Sequence, residues 1–155
     1  MTGSFEHIMD CRQPGALAAG LRALEHCQAY ALLPPPLRFV ADLIVDELAS
    51  NAIKYGGPDC LEVGFQLDFD GHLMRVAVMD DGPPFNPWQD APSVDSPSTP
   101  TASLKIGGRG IHMIRHATDS QHYERRNAKN ISTLTRRWNP NPQDATAPTT
   151  GPRTS

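Results

Sequence analysis

The stretch "CLEVGFQLDFD", residues 60 to 70, constrains the fold of this chain more than any other. Apolar residues alternate strictly with polar ones there, and the apolar set is Leu61, Val63, Phe65, Leu67 and Phe69. Such a strand buries one face and leaves the other in water, whereas a strand covered on both faces would be apolar throughout. The sheet that contains it is therefore expected to carry helices on one side only.

The neighbouring segments extend this strand into an α+β fold. Asp70-Gly71 predicts a hairpin turn, and "HLMRVAVMD" predicts the returning strand. Residues 4 to 9 are predicted as an edge strand, and two helices follow, separated by "LLPPPL". "GGRGIHMIRHA" predicts another helix, before the hairpin "DSQHYERR" and "NISTLTRRW". This order predicts a two-layer α/β sandwich with a mixed, mostly antiparallel sheet.

The chain is predicted to form one domain at residues 1–138 with one long internal loop. Residues 86 to 105 are rich in Pro, Ser and Thr and have no apolar periodicity. A loop of this kind inside a compact domain is typically functional, which predicts a lid at about residues 86–107. Residues 139–155 contain almost no large apolar side chain, and the sequence predicts a disordered tail there.

Bulk properties exclude several functions. The net charge of −3 gives no general attraction to nucleic acid or to an anionic membrane. No apolar run approaches the roughly 20 residues that span a bilayer, and "MTGSFEHIMD" lacks the features of a secretory signal. We therefore predict a cytoplasmic protein that binds neither nucleic acid nor membrane. The three cysteines form no CxxC pair and are expected to be small core residues.

Two further features are predicted to have no chemical role. His112 and His116 lie four residues apart but lack a third ligand nearby, which favours an ordinary helix face over a metal site. The final hairpin carries several basic residues, which we expect on a solvated edge rather than at a nucleic acid; a docking surface for an acidic protein partner is a third option. These residues are Arg125, Arg126, Lys129, Arg136 and Arg137.

The first motif with chemical content is "VDELASNAIKYGG", residues 45 to 57. Glu47 and Asn51 are four residues apart and share one helix face, with Lys54 one turn further on. An amide oxygen is a suitable ligand for Mg²⁺, and a carboxylate can accept a proton from a hydroxyl or a water. The lysine is expected to reach a phosphate. Alone, the motif is more typical of a solvated polar face.

Two more motifs complement the first. In "VMDDGPPFNP" a predicted strand ends at Asp80, whose carboxylate can accept a hydrogen bond from an amine, and Gly82 lets a flat ring approach the backbone. In "GGRGIHMI" a glycine-rich turn opens a helix, where backbone N–H groups can bind an anion. Together the three motifs supply a metal ligand, a reader of a base and a phosphate cradle.

These three motifs resemble the N, G1 and G2 boxes of the GHKL ATPase/kinase superfamily. "ELASNAIKYG" resembles the N box, "DDGPPF" the G1 box and "GGRGIHMI" the G2 box. The resemblance covers residues 4 to 138 and implies a Bergerat-type ATP-binding fold, with ATP and Mg²⁺ as cofactors. Glu47 would be the general base, and Asn51 would bind Mg²⁺ as well as ATP. The other ATP-binding residues that the resemblance implies are Lys54, Asp80, Gly82, Gly107, Gly108, Arg109, Gly110, Ile111 and Thr133.

Within the superfamily, the small size, the Pro-Phe after G1 and the G2 helix resemble the anti-sigma factor serine-protein kinases of bacterial partner-switching systems. This implies phosphorylation of an anti-anti-sigma (STAS-type) antagonist on serine, binding of a sigma factor or another regulator, and a homodimer. "NAIKYG" is closer to the histidine-kinase form. Two alternatives therefore stay open: a non-catalytic, nucleotide-gated binding module, and a histidine-kinase-type catalytic domain acting in trans.

Overall fold

A computed structural model describes residues 2–90 and 109–140. The strands are β1 Gly3–Asp10, β2 Glu62–Phe69, β3 Leu73–Asp80, β4 Ser120–Arg126 and β5 Lys129–Arg137. The helices are α1 Ala16–His26, α2 Gln28–Leu32, α3 Pro35–Gly56, α4 Pro87–Asp90 and α5 Arg109–Ala117, with a 3₁₀ turn at Gly57–Asp59. This arrangement confirms the predicted α+β fold.

The strands form one five-stranded sheet in the order β1-β2-β3-β5-β4. Every pairing between the described strands is antiparallel, so the parallel pairing that a mixed sheet allows is absent from them. The predicted edge strand β1 does lie at one edge, and β4 lies at the other. Asp80 and Asn130 stand opposite each other in the β3–β5 ladder, which becomes important at the functional site.

The predicted apolar face of β2 is the floor of the core. Val63, Phe65 and Leu67 are fully buried, and Phe69 is nearly so, whereas Leu61 precedes the strand and is 42% exposed. Helices α1, α2 and α3 contact the sheet on this side. Burying one such side chain stabilises the fold by about 1.5–3 kcal/mol, so this face fixes the direction in which the helices pack.

The region predicted as one helix before "LLPPPL" is divided into α1 and α2 at Cys27. The backbone of Cys27 is extended, with φ −81° and ψ 156°, which no α-helix accommodates. Its Sγ atom accepts a hydrogen bond from the Tyr30 N–H at 3.4 Å and so caps the start of α2. All three cysteines are free thiols, and Cys60 is buried as predicted.

Helix α3 contains the whole N-box motif, residues 47–56, in its second half. Pro35 lies in its first turn, where a missing N–H is tolerated. Gly57 follows its last residue with φ +54°, a conformation that favours glycine. Although α3 has 22 residues, none of the helices in the described part of the chain is apolar enough over sufficient length to cross a membrane.

Parts of two predictions lie outside the described residues. Of the predicted lid, only residues 86–90 are described, and they contain α4. The predicted tail is described only at residues 139 and 140.

Candidate functional site

A cavity of about 280 Å³ opens between the second half of α3, the ends of β3 and β5 that meet there, and the segment after β3. Its walls are mostly apolar with a few convergent polar groups, which is typical of small-molecule sites. Asn51 and Asp80, predicted from two separate motifs, both line it. The complete lining is Leu48, Asn51, Ala52, Tyr55, Gly56, Val78, Asp80, Pro83, Pro84, Phe85, Pro87, Asn130 and Ser132.

Asp80 ends β3 and is held by two hydrogen bonds. Its Oδ1 atom accepts from the Gly82 N–H at 2.9 Å and from Asn130 Nδ2 at 2.9 Å. The pKa of the Asp80 carboxyl is raised, because the effect of burial is larger than that of these two hydrogen bonds, which lower it. Both bonds from described residues end on Oδ1, so Oδ2 retains its capacity to accept a hydrogen bond from a ligand.

Gly82 makes the turn behind Asp80 and does not itself line the cavity. A Cβ atom at this position would lie 3.0 Å from Asp80 Oδ1 and 3.5 Å from the Gly56 Cα atom. The absence of a side chain therefore allows the turn to pack beneath the carboxylate and against the end of α3. The predicted role in ring access stays a prediction.

Asn130 is the central polar residue of the cavity, although none of the three sequence motifs contains it. It is 4% exposed. Its Nδ2 atom donates to Asp80 Oδ1 and to the Pro83 carbonyl, both at 2.9 Å. Its Oδ1 atom accepts from the Phe85 N–H at 3.2 Å and from the Tyr123 hydroxyl at 2.5 Å. Asn130 thus connects the base of the carboxylate to the last hairpin.

The register of β5 corrects the predicted role of Thr133. Leu134 is a core residue, so the residues at even positions of this strand face the helices and Thr133 faces away. Ser132 lines the cavity and Thr133 does not. The alternation around Leu134 was the available signal, since it also places Asn130 on the inner face.

Arg125 corrects the interpretation of the last hairpin as a solvated edge. Although Arg125 is exposed as a whole, its Nη1 atom donates to Asn130 Oδ1 at 3.0 Å and to the Gly82 carbonyl at 2.9 Å. The next residue, Arg126, keeps the predicted character, because its side chain is 65% exposed and pairs only loosely with Glu124 at 3.7 Å. One of the basic residues therefore belongs to the candidate site.

Asn51 presents an unpaired oxygen to the cavity. The residue is 4% exposed, and its Oδ1 atom has no hydrogen-bond partner in the described part of the chain. An unsatisfied buried acceptor costs about 1–3 kcal/mol unless a ligand satisfies it. Mg²⁺ takes few protein ligands and completes its shell with water and phosphate oxygens. Asn51 therefore fits a Mg²⁺ ion that is bound together with phosphates.

Glu47 lies one turn before Asn51 on α3, at the contact with α5. A Cβ atom on Gly110 would lie 2.0 Å from Glu47 Oε2, so any side chain there would displace this carboxylate. Burial raises the pKa of Glu47 and the charge of Asp46 raises it further, whereas Lys54 lowers it. Glu47 does not line the cavity, but it stands beside Asn51 where the first turn of α5 begins.

The other predicted residues are distributed as follows. Lys54 is exposed on α3 and does not line the cavity, and Arg109 is exposed at the start of α5. Ile111 is 4% exposed and belongs to the hydrophobic core. Gly107 and Gly108 lie outside the described residues. The structure thus brings Asn51 and Asp80 together at one cavity and places Glu47 and Gly110 in contact beside it.

Comparison with known proteins identifies the domain. No curated protein matches the chain. The sequence does match the family model described as "Histidine kinase-like ATPase domain" over residues 12–136, which include all of the motifs and most of the sheet. The described fold, with helices on one face of an antiparallel sheet, agrees with this match. The chain belongs to the histidine kinase-like ATPase domain family, a GHKL-type family of kinase-like, ATP-binding domains.

Proposed function

We propose that the protein is an ATP-dependent serine protein kinase and an anti-sigma-type switch protein. It binds a sigma factor or another regulator, acts as a homodimer and phosphorylates an anti-anti-sigma (STAS-type) antagonist on serine. The observation that carries this proposal is the position of Glu47, a half-buried carboxylate one turn from the candidate Mg²⁺ ligand Asn51 and in contact with Gly110. A base in this place is what transfer to a hydroxyl requires.

Phosphoryl transfer depends mainly on positioning and charge neutralisation. Asp80 binds the adenine amine, and the Asn51 amide oxygen would hold a Mg²⁺ ion at the phosphate end. A bound Mg²⁺ ion neutralises phosphate charge. As the serine oxygen bonds to the γ-phosphorus, the bond to the β–γ bridging oxygen breaks, ADP leaves, and Glu47 accepts the hydroxyl proton. A carboxylate whose pKa is raised by burial is a stronger base once ionised.

The test is phosphorylation of a cognate antagonist by labelled ATP and Mg²⁺, with Glu47→Gln compared with wild type. We expect an acid-stable label on serine, and a rate reduced about 10²- to 10⁴-fold in the variant because the general base is lost. Asp46→Asn is the matched control, since Asp46 is the exposed neighbour on α3, and its rate at neutral pH should equal that of wild type. A Glu47→Gln variant as fast as wild type contradicts the assignment.

A second candidate is the non-catalytic, nucleotide-gated binding module. One observation favours it: the cavity is lined by Asn51 and Asp80 but not by Glu47. In that case ATP binds and changes the affinity for a partner, while no protein that co-purifies with the domain becomes labelled. A histidine-kinase-type domain acting in trans would instead label its partner with acid-labile phosphate. The same assay therefore separates the three activities.

Oligomeric state and partner binding are tested separately. Sedimentation of the purified protein should give the mass of a dimer, and a sedimentation profile of a monomer at all concentrations contradicts that part of the proposal. Capture from the native cell with and without ATP, followed by mapping of phosphosites, identifies the regulator and the antagonist.

A further inference from the structure

Arg125 joins two segments beside the cavity that are distant in sequence. One Nη1 atom reaches both Asn130 Oδ1 at 3.0 Å and the Gly82 carbonyl oxygen at 2.9 Å. Asn130 in turn reaches Asp80, and the Gly82 N–H reaches the same Asp80 oxygen. The guanidinium group thus supports both of the groups that hold the Asp80 carboxylate.

The hydrogen bonds of Asn130 allow only one orientation of its amide. Three donors converge on its Oδ1 atom: the guanidinium of Arg125, the hydroxyl of Tyr123 and the N–H of Phe85. Two acceptors face its Nδ2 atom, one of which is Asp80 Oδ1. A reversed amide would set donors against donors and acceptors against acceptors. Arg125 is the charged member of this set, and charge-assisted hydrogen bonds are the stronger ones.

The fixed amide determines what Asp80 offers to a purine. With Oδ1 occupied by two donors, the carboxylate presents Oδ2 to the ligand as an acceptor only. The exocyclic amine of adenine donates to such an oxygen, whereas the carbonyl of hypoxanthine, which replaces that amine in inosine triphosphate, cannot. We propose that Arg125 is a positioning residue for purine selection, which acts through Asn130 to hold Asp80 for the adenine amine. This inference rests on the proposed ATP site.

The experiment compares the dissociation constants of ATP and inosine triphosphate, each with Mg²⁺, by calorimetry. The variants are Arg125→Met, Arg125→Lys and the control Arg126→Met, whose wild-type side chain is 65% exposed on the same strand. Only ATP donates an exocyclic amine to Asp80 Oδ2, so we expect Arg125→Met to weaken ATP binding about tenfold and to weaken inosine triphosphate binding much less. The readout is the ratio of the inosine triphosphate dissociation constant to the ATP dissociation constant, which Arg125→Met should lower. Arg125→Lys retains the charge and should give a ratio between those of Arg125→Met and the wild type, while Arg126→Met should keep the wild-type ratio.

A purely structural role for Arg125 would weaken both nucleotides by the same factor, and that result overturns the inference. An unchanged ratio in Arg125→Met, or equal affinities in the wild type, also overturns it but leaves the proposed ATP site intact. A wild-type protein that binds neither nucleotide overturns both the inference about Arg125 and the proposed ATP site. Thermal unfolding checks that each variant is folded. If Arg125→Met is unfolded, the test uses Arg125→Lys: a lower ratio of the inosine triphosphate to the ATP dissociation constant than in the wild type supports the inference, and an unchanged ratio overturns it.

Discussion

The two ends of the candidate site are built differently. The hairpin end consists of Asp80, Gly82, Arg125 and Asn130, whose polar groups satisfy one another. The helix end consists of Glu47, Asn51 and Gly110, where the Asn51 amide oxygen is buried without a partner in the described residues and burial raises the pKa of the Glu47 carboxyl. The groups of the hairpin end pair with one another and leave Asp80 Oδ2 for a ligand, whereas the helix end keeps a buried amide oxygen without a partner among the described residues.

This difference corresponds to two ways of binding a ligand. A saturated network holds its one outward-facing acceptor in a fixed position, which suits recognition of a flat base. A group that binds a metal ion must instead keep its lone pairs available, and it pays for this in folding stability. The comparison therefore predicts that variants of the hairpin end lose stability or base recognition, while variants of the helix end lose chemistry.

After Glu47→Gln, the largest effect is expected for Gly110→Ala. The new Cβ atom would lie 2.0 Å from Glu47 Oε2, so the carboxylate must move. A displacement of about 1 Å can reduce a rate about 10²-fold, which steady-state phosphorylation would detect. Alanine also favours a helix by about 0.5–1 kcal/mol over glycine, so lost activity should not come from an unfolded α5. Met113→Ala, at a position 46% exposed on α5, is the control and should remain active.

The next effect is on stability, for Asn130→Ala. The Pro83 carbonyl, the Phe85 N–H and the Tyr123 hydroxyl each lose a partner. We expect the free energy of unfolding in urea to fall by about 2–3 kcal/mol. Ser132→Ala is the control on the same face of β5 and should cost less. An Asn130→Ala protein as stable as wild type would mean that the network does not hold the hairpin end together.

Asp80→Asn is expected to separate recognition from stability. The amide oxygen can still accept from Asn130 and from the Gly82 N–H, but an amide nitrogen then faces the adenine amine. ATP binding should weaken by about 1–3 kcal/mol, with little change in melting temperature. Asp81→Asn is the neighbouring control, because Asp81 accepts from the backbone N–H of Leu61 rather than lining the cavity. Equal ATP affinities in the two variants, measured by calorimetry, would exclude Asp80 as the reader of the base.

Asn51→Ala sharpens the comparison between two buried asparagines. Because the Asn51 Oδ1 atom has no partner among described residues, its removal also removes the cost of an unpaired buried acceptor, so the free energy of unfolding should not fall as it does in Asn130→Ala. Mg²⁺-dependent ATP binding should nevertheless fall at least about tenfold. A loss of stability as large as that of Asn130→Ala would show that both ends of the site are structural.

The smallest effect concerns pH. Burial and the charge of Asp46 raise the pKa of Glu47 above its ordinary value of 4.5. A base acts when ionised, so the phosphorylation rate should rise with pH through the raised pKa and be lost below it. Asp46→Asn removes one of the causes, lowers the pKa, and should move the rising part of the rate profile to lower pH. A shift in the opposite direction would contradict the assigned base.

The sequence predicted the elements that depend on local patterns. The alternation at Val63, Phe65 and Leu67 identified β2 and its buried face, and the four-residue spacing of Glu47 and Asn51 predicted that both lie on one face of a helix. It did not predict the break at Cys27, because the residues on both sides have helical spacing and only the extended backbone of Cys27 interrupts them.

Long-range partners were not predictable in the same way. Thr133 was predicted to bind ATP, but the ladder between β3 and β5 sets Asn130 opposite Asp80. Register depends on how two strands 50 residues apart pair, and a slip of one residue exchanges the two faces. Arg125 looked like any basic residue of an exposed hairpin for the same reason.

The sequence by itself therefore determined the order of the elements, the one-sided sheet and the three motifs, since each follows from residue spacing along the chain. Only the tertiary structure decided that the last hairpin completes the hairpin end through Asn130 and Arg125, and that Gly110 meets Glu47 at the helix end. These contacts join segments distant in sequence, and they form only when burial of the shared core fixes the register of the sheet and the packing of α5 on α3.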